Sequence, residues 1–129
     1  METWNGVHSN GASLHWGDFS GSGSENEKHR ICKTAMERMD LPHSYGFSWQ
    51  GRRCVWFVDG RPTMRAILPD TCRDFKQFNI ILNVAMGGNV MNGVRPDPGQ
   101  YDMVVHSLAI WDAPNFEGAW ALAAEGRTM

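Results

Sequence analysis

The stretch SYGFSWQGRRCVWFVDGRPTMRAIL, residues 44–68, decides the fold class. Apolar side chains alternate with small or polar ones over residues 44–50, and this period of two is typical of a half-buried strand. The runs 53–58 and 63–68 follow, and Asp59-Gly60-Arg61-Pro62 separates them. Because glycine tolerates a positive φ, an Asp-Gly step between two such runs predicts a β-hairpin. This stretch therefore favours antiparallel strands over helices.

Two apolar segments nearer the C-terminus extend the same pattern. Residues 78–86 are rich in β-branched and apolar side chains and stop at Gly87-Gly88, which predicts a buried central strand followed by a loop. Residues 102–111 predict another strand. Ala113-Pro114 ends it, because proline cannot donate a hydrogen bond to a sheet ladder.

The first and last parts of the chain are less regular. Residues 13–16 form a candidate short strand, and residues 17–28 are polar and rich in Gly and Ser, which favours a surface loop. Residues 116–124 fit either a short helix or an irregular docked segment. Five or six strands with almost no helix predict an all-β sandwich of stacked antiparallel sheets.

Composition and charge limit the classes of function. The 129 residues are 42% hydrophobic and 20% charged, which is typical of one folded domain. The formal charge of −2 and the scattered Lys and Arg give no basic stripe for nucleic acid or for an anionic membrane surface. No apolar run approaches the ~18 residues of a membrane span, and the first residues lack the pattern of a secretory signal. An uncharged partner fits these totals best.

Three segments, taken in order, carry a resemblance to a known family. They are PHSYGFSW leading into VWFVDGRP (residues 42–62), ILNVAMGGN (residues 81–89) and residues 103–111. Together they resemble glycoside hydrolase family 16, the laminarinase and lichenase group of endo-β-glucanases. The resemblance implies a concanavalin A-like jelly roll, with residues 1–113 as the C-terminal half of the catalytic domain and residues 114–129 as a tail.

The same resemblance implies an activity and a location. Family members hydrolyse O-glycosyl bonds of β-1,3- or β-1,3/1,4-glucan with retention and are usually extracellular, although this chain shows no signal peptide. They carry the motif Glu-x-Asp-x-x-Glu, and Met1-Glu2 resembles its last two positions, which makes Glu2 the candidate general acid/base. A retaining glycosidase needs a second carboxyl group ~5–5.5 Å away as the nucleophile. The resemblance places that group upstream of Met1, so we expect an incomplete jelly roll that is inactive alone.

Four further side chains are candidates for binding glucan. Trp4 and Trp16 offer indole faces that pack on the C–H face of a sugar ring, with a place in the sandwich core as the alternative. His15 either bonds sugar hydroxyls or satisfies backbone groups. Asn83 stands on an apolar segment where its amide needs a partner, which is either the substrate or the protein.

Other conspicuous residues have simpler interpretations. We expect Trp49 and Trp56 in the core. His43 is interpreted as a structural histidine that satisfies backbone groups, and Asp59 as a turn residue. Many family members hold calcium through an Asp of the closing strand, but His106 occupies that position, and imidazole does not suit a hard cation.

Cysteine usage points to no metal centre. Cys32, Cys54 and Cys72 are odd in number and lack the CxxC spacing of a zinc site, so we expect neither a metal nor a cofactor. If the parent protein is secreted, as the resemblance implies, Cys54 and Cys72 are a candidate disulfide pair.

Two other classes of protein fit the same residues. One is a non-catalytic, lectin-like glucan-binding module that uses Trp4, Trp16 and Asn83. The other is a truncated product with no stable independent fold, which would lack a cooperative thermal transition.

Overall fold

The computed structural model describes residues 1–3, 9–17, 27–38, 40–68, 79–84, 95, 97–110, 112 and 115–128. The chain divides into two compact units, Met1–Arg73 with Ala113–Met129, and Asp74–Asp112. The elements of the first unit are β1 (Glu2–Thr3), β2 (Ser9–Gly17), β3 (Glu27–Ala35), β4 (Tyr45–Gln50), β5 (Arg53–Val58), β6 (Arg61–Ile67), α1 (Phe116–Leu122), β7 (Ala124–Glu125) and β8 (Arg127–Thr128).

These strands form two sheets. The first sheet has the order β1-β2-β3-β8 and is antiparallel throughout. The second has the order β4-β5-β6-β7 and is antiparallel except for the parallel pair β6–β7. Strands β2 and β3 contact β6, so the two sheets lie against each other. The prediction of a largely β fold with little helix is confirmed.

The β5–β6 hairpin forms as the Asp-Gly step predicts. Asp59 and Gly60 have φ values of 50° and 73°, and Val58 pairs with Arg61 across them. Two central residues with positive φ match the primed turn that joins twisted strands in two-residue hairpins. Strand β6 begins two residues earlier than predicted, and a register shift between Trp56 and Phe57 accommodates its proline.

Strand β5 is buried on both faces. Val55 is fully buried and packs with Phe116 and Ala123, while Phe57 adds a partly buried ring to the same cluster. Side chains alternate across a strand, so Trp56 lies on the opposite face, and it is buried there as predicted. This strand is therefore the centre of the core.

Helix α1 covers the Val55 face of the second sheet. Asn115 caps its N-terminus by accepting a hydrogen bond from the Gly118 N–H at 3.1 Å. Arg53 of β5 forms an ion pair with Glu117, and its guanidinium carbon lies 5.1 Å from the centre of the Phe116 ring. Of the two alternatives left open by the sequence for residues 116–124, the structure has the short helix.

Several predictions of local structure are wrong. The loop predicted for residues 17–28 is wrong at both of its described ends, since Gly17 belongs to β2 and residues 27–28 begin β3, whereas residues 18–26 lie outside the described part of the chain. Residues 79–84 and 102–110 are not in strands, and their apolar side chains are exposed, with Ile81 at 80% and Ile110 at 78%. An apolar run becomes a strand only when a neighbouring strand accepts its backbone hydrogen bonds, and the pattern of residues alone does not supply that neighbour.

Within the described ranges, the helix that forms is far too short to cross a membrane, and none with the length and apolar character of a span occurs.

Candidate functional site

The candidate acid/base residue lies in the first strand of the first sheet. Glu2 pairs with Gly11 in the antiparallel register of β1 and β2, and Thr3 pairs with Asn10. Two residue pairs hold β1 in place. The backbone of Glu2 is therefore fixed beside β2, the strand that carries two of the other candidates.

His15 and Trp16 lie toward the C-terminal end of β2. His15 lies four positions after Gly11, the partner of Glu2, so Glu2 and His15 stand about 13 Å apart along the strand direction. His15 and Trp16 are adjacent in sequence, so their side chains lie on opposite faces of β2.

The two faces of β2 differ in exposure. Asn10 and Ala12 are each only 1% exposed, and Trp16 follows them on the same face, where it is partly buried. His15 lies on the other face and is exposed. The structure therefore places His15, but not Trp16, on the open face of the sheet.

The remaining candidates fall elsewhere. Trp4 lies outside the described residues. Asn83 is exposed and belongs to the unit Asp74–Asp112, which is described by itself, and His106 is exposed in the same unit. The described residues contain no group of three His, Cys, Asp or Glu side chains that would hold a metal ion. Cys72 also lies outside the described chain, so its pairing with Cys54 stays a prediction.

A row of aromatic side chains lies on one face of β4. Tyr45, Phe47 and Trp49 are 47%, 42% and 48% exposed, and they alternate with smaller residues. The rings of Phe47 and Trp49 are stacked with centres 5.9 Å apart and planes inclined by 26°. Phe47 also packs edge-on against Trp56 of the core at 5.0 Å. The prediction that Trp49 lies in the core is wrong. The aromatic row lies on the same face of the sheet as the buried Trp56, but β4 exposes that face to solvent.

This aromatic row, Tyr45 with Phe47 and Trp49, is an exposed apolar surface. Exposed ring faces bind the apolar faces of sugars by dispersion and by burying C–H groups, without any need for charge. The sequence contains the signal for it, since the three aromatics recur at every second position. Their exposure could not be predicted, because it depends on what covers the strand.

The best-defined polar cluster joins the segment before β4 to the β5–β6 turn. His43 is 13% exposed at its side chain; its Nδ1 lies 2.7 Å from Asp59 Oδ2 and its Nε2 lies 2.9 Å from the Arg38 carbonyl oxygen. Asp59 Oδ1 accepts a hydrogen bond from the Ser44 N–H at 3.0 Å. These contacts agree with the interpretation of His43 as a structural histidine.

Electrostatics in this cluster follow from its hydrogen bonds. The bond to the Arg38 carbonyl, followed by the bond to Asp59, raises the pKa of His43 above its ordinary value. The bond with His43, followed by that from the Ser44 N–H, lowers the pKa of Asp59. Burial, with a smaller effect of Asp59, raises the pKa of Tyr45. The pairing of β4 with β5 is the sequence feature that could have predicted the contact between His43 and Asp59. It places residue 44 opposite residue 59 and so brings His43 beside the turn.

Comparison with known proteins returns nothing: the chain matches no protein-family model, no curated protein and no solved structure.

Proposed function

We propose that this chain is the C-terminal half of a family 16-like β-glucanase jelly roll, which binds β-1,3- or β-1,3/1,4-glucan and does not cut it alone. The support begins with the hairpin of residues 53–67, whose sequence carries the first part of the resemblance and whose turn forms as that sequence predicts. Two stacked sheets are the layer arrangement that a jelly roll requires.

The observation that carries the proposal is the position of Glu2. Its strand pairs directly with β2, the strand of His15, so the proposed acid and a proposed sugar-binding side chain share one sheet. In a retaining glycosidase the acid protonates the leaving oxygen while a second carboxylate attacks the anomeric carbon. In this role Glu2 is the acid and His15, on the open face of β2, binds the sugar chain, whereas Trp16 lies on the opposite face of that strand.

The proposed lack of turnover rests on the carboxylates that the sequence holds. Glu-x-Asp-x-x-Glu occurs nowhere in full in the 129 residues, and only the last Glu has a counterpart here. One carboxylate cannot both protonate the leaving group and attack the sugar. Glucan affinity depends on hydrogen bonds and ring stacking instead, so it does not require the nucleophile.

Activity and binding should be measured on the same purified chain. Laminarin and lichenan are incubated with the wild type and with Glu2→Gln, and new reducing ends are assayed. We expect none from either protein. Clear turnover by the wild type that Glu2→Gln abolishes would contradict the proposed incomplete site.

Binding is measured by calorimetry with the same two glucans and with an α-glucan as the ligand control. We expect binding to at least one β-glucan, weakened by His15→Ala. Ile67→Ala is the matched control, because Ile67 is 56% exposed on a strand of the other sheet. A cooperatively folded chain that binds neither β-glucan would contradict the proposal.

One observation favours the second candidate, a non-catalytic glucan-binding module. The aromatic row is half exposed and uncharged, and its stacked pair Phe47 and Trp49 forms a continuous apolar surface. If this row holds the glucan, Trp49→Ala weakens binding, whereas Glu2→Gln and His15→Ala leave it unchanged. Binding that depends on His15 and not on Trp49 would exclude this candidate.

A further inference from the structure

We propose that His43 is a protonation-controlled latch that holds residues 38–44 against the β5–β6 turn in acid and releases them as the pH rises. The inference is independent of glucan binding. It concerns the His43 ring, which bridges two segments through both of its nitrogens.

Both partners of the His43 ring are hydrogen-bond acceptors. The Arg38 carbonyl oxygen can only accept, and so can an ionised Asp59 carboxylate. A neutral imidazole has one N–H and one lone pair, so it can satisfy only one of the two partners. With distances of 2.7 Å and 2.9 Å, the observed geometry fits the imidazolium, which donates from both nitrogens.

The charges around the ring favour the same form. Asp59 and Asp40 both raise the pKa of His43, with Asp59 in direct contact. The Arg38 guanidinium forms an ion pair with Asp40 at 2.8 Å, and Arg38 contacts the His43 ring through its backbone carbonyl oxygen. Arg61 acts on Asp59, and the Tyr45 ring centre lies 6.5 Å from that of His43. Among the described residues, the charged and titratable groups near His43 are therefore Asp59, Asp40, Arg38, Arg61 and Tyr45.

The latch fixes two unusual backbone positions. Arg38 and Asp59 have φ values of 52° and 50°, in the left-handed region that residues other than glycine rarely adopt. The Arg38 carbonyl also accepts the Leu41 N–H at 2.9 Å, which closes a turn within the latched segment. His43 joins this turn to the hairpin, so losing one of its two bonds frees a defined piece of chain.

The hairpin turn itself does not depend on the charge of His43. Asp59 donates its N–H to the Ser44 carbonyl at 2.9 Å and accepts the Ser44 N–H with its side chain. Neither bond involves an imidazole nitrogen. Deprotonation therefore loosens residues 38–43 while the strands remain paired, which is a local change rather than unfolding.

The direction with pH follows from linkage. Folding favours the imidazolium, so the latch contributes its full stability below the pKa of an unfolded histidine. That contribution is lost as the pH rises through the higher pKa of the folded chain. The segment is therefore closed in mildly acidic solution and open in mildly alkaline solution.

Nuclear magnetic resonance on the intact chain tests the latch. The imidazole signals of His43 are titrated from about pH 5 to 9, a range that brackets the ordinary histidine value. Amide exchange of Leu41, whose N–H donates to the Arg38 carbonyl, is followed at both ends of the range and corrected for its intrinsic dependence on pH. We expect a midpoint above 6.5 and a several-fold loss of protection at Leu41 at the alkaline end. The Ala123 N–H, bonded to the Ala119 carbonyl within α1, is the control and should not change.

Two variants separate the latch from simple packing. In His43→Gln the protection of the Leu41 amide should no longer depend on pH. In Asp59→Asn the side-chain oxygen still accepts the Ser44 N–H, and asparagine tolerates the left-handed position, but the His43 midpoint should fall. A midpoint at or below 6.5 in the wild type, or protection that is equal at both ends of the pH range, would overturn the proposal.

Discussion

Removal of the Phe116 ring tests how α1 is held on the sheet. Its side chain is 7% exposed and packs against Val55 and Ala123. Phe→Ala at a buried site costs ~3–5 kcal/mol of unfolding free energy. Phe116 opens the helix near the surface and its surroundings can relax, so we expect the lower end, about 3 kcal/mol. With a urea slope of ~1.5 kcal/mol/M, the unfolding midpoint should fall by ~2 M.

Leu122 on the same helix provides the matched control. Its side chain is 77% exposed, so Leu122→Ala should change the unfolding free energy by less than ~0.5 kcal/mol. Both proteins are unfolded in urea and followed by tryptophan fluorescence and circular dichroism. A Phe116→Ala loss below ~1 kcal/mol, or one equal to that of Leu122→Ala, would refute the packing of α1 on β5.

Three further predictions concern the turn and the charges. Gly60→Ala should destabilise the hairpin by ~1–2 kcal/mol in thermal unfolding, because Gly60 has a φ of 73°. Gly99→Ala is the control and should be nearly neutral, because its φ is not left-handed and its added Cβ would lie an ordinary 3.7 Å from the Tyr101 ring. Glu117→Gln should lower stability slightly at neutral pH and low salt. The difference from wild type should vanish in high salt, and also as the pH falls through the pKa of Glu117, which its hydrogen bond with the arginine on β5 holds below the ordinary value. Folding lowers the pKa of Asp59 and raises that of His43. Their combined contribution to the free energy of unfolding should therefore be largest between about pH 4 and 6.5 and fall on both sides. Asp59→Asn should flatten this dependence on pH.

The part of the fold that the sequence predicts is the part decided by neighbours along the chain. Alternation over residues 44–58 and the turn at Asp59-Gly60 are local features, and these strands form where they are predicted. Strand β3 escapes prediction because its charged residues 27–30 look like loop, while its pairing with β2 is long and continuous. A long pairing with the preceding strand can override local composition.

The opposite error occurs at residues 79–84 and 102–110. Their apolar patterns would make good strands, but burial needs a complementary surface, and a pattern of residues does not say whether one is there. The candidate site shows the same limit. A strand over residues 13–16 already implies that His15 and Trp16 lie on opposite faces, but which of the two faces is buried could be seen only in the packing of β2.

The short segment after α1 supplies one strand to each sheet. β7 pairs with β6 in the second sheet, and β8 pairs with β3 in the first, with Gly126 between them and bonded to the Arg65 carbonyl at 3.1 Å. The same short segment therefore completes both sheets, since β7 and β8 are each an edge strand. A change that displaces residues 124–128 would remove an edge strand from each sheet at once, so the two sheets are coupled through this segment.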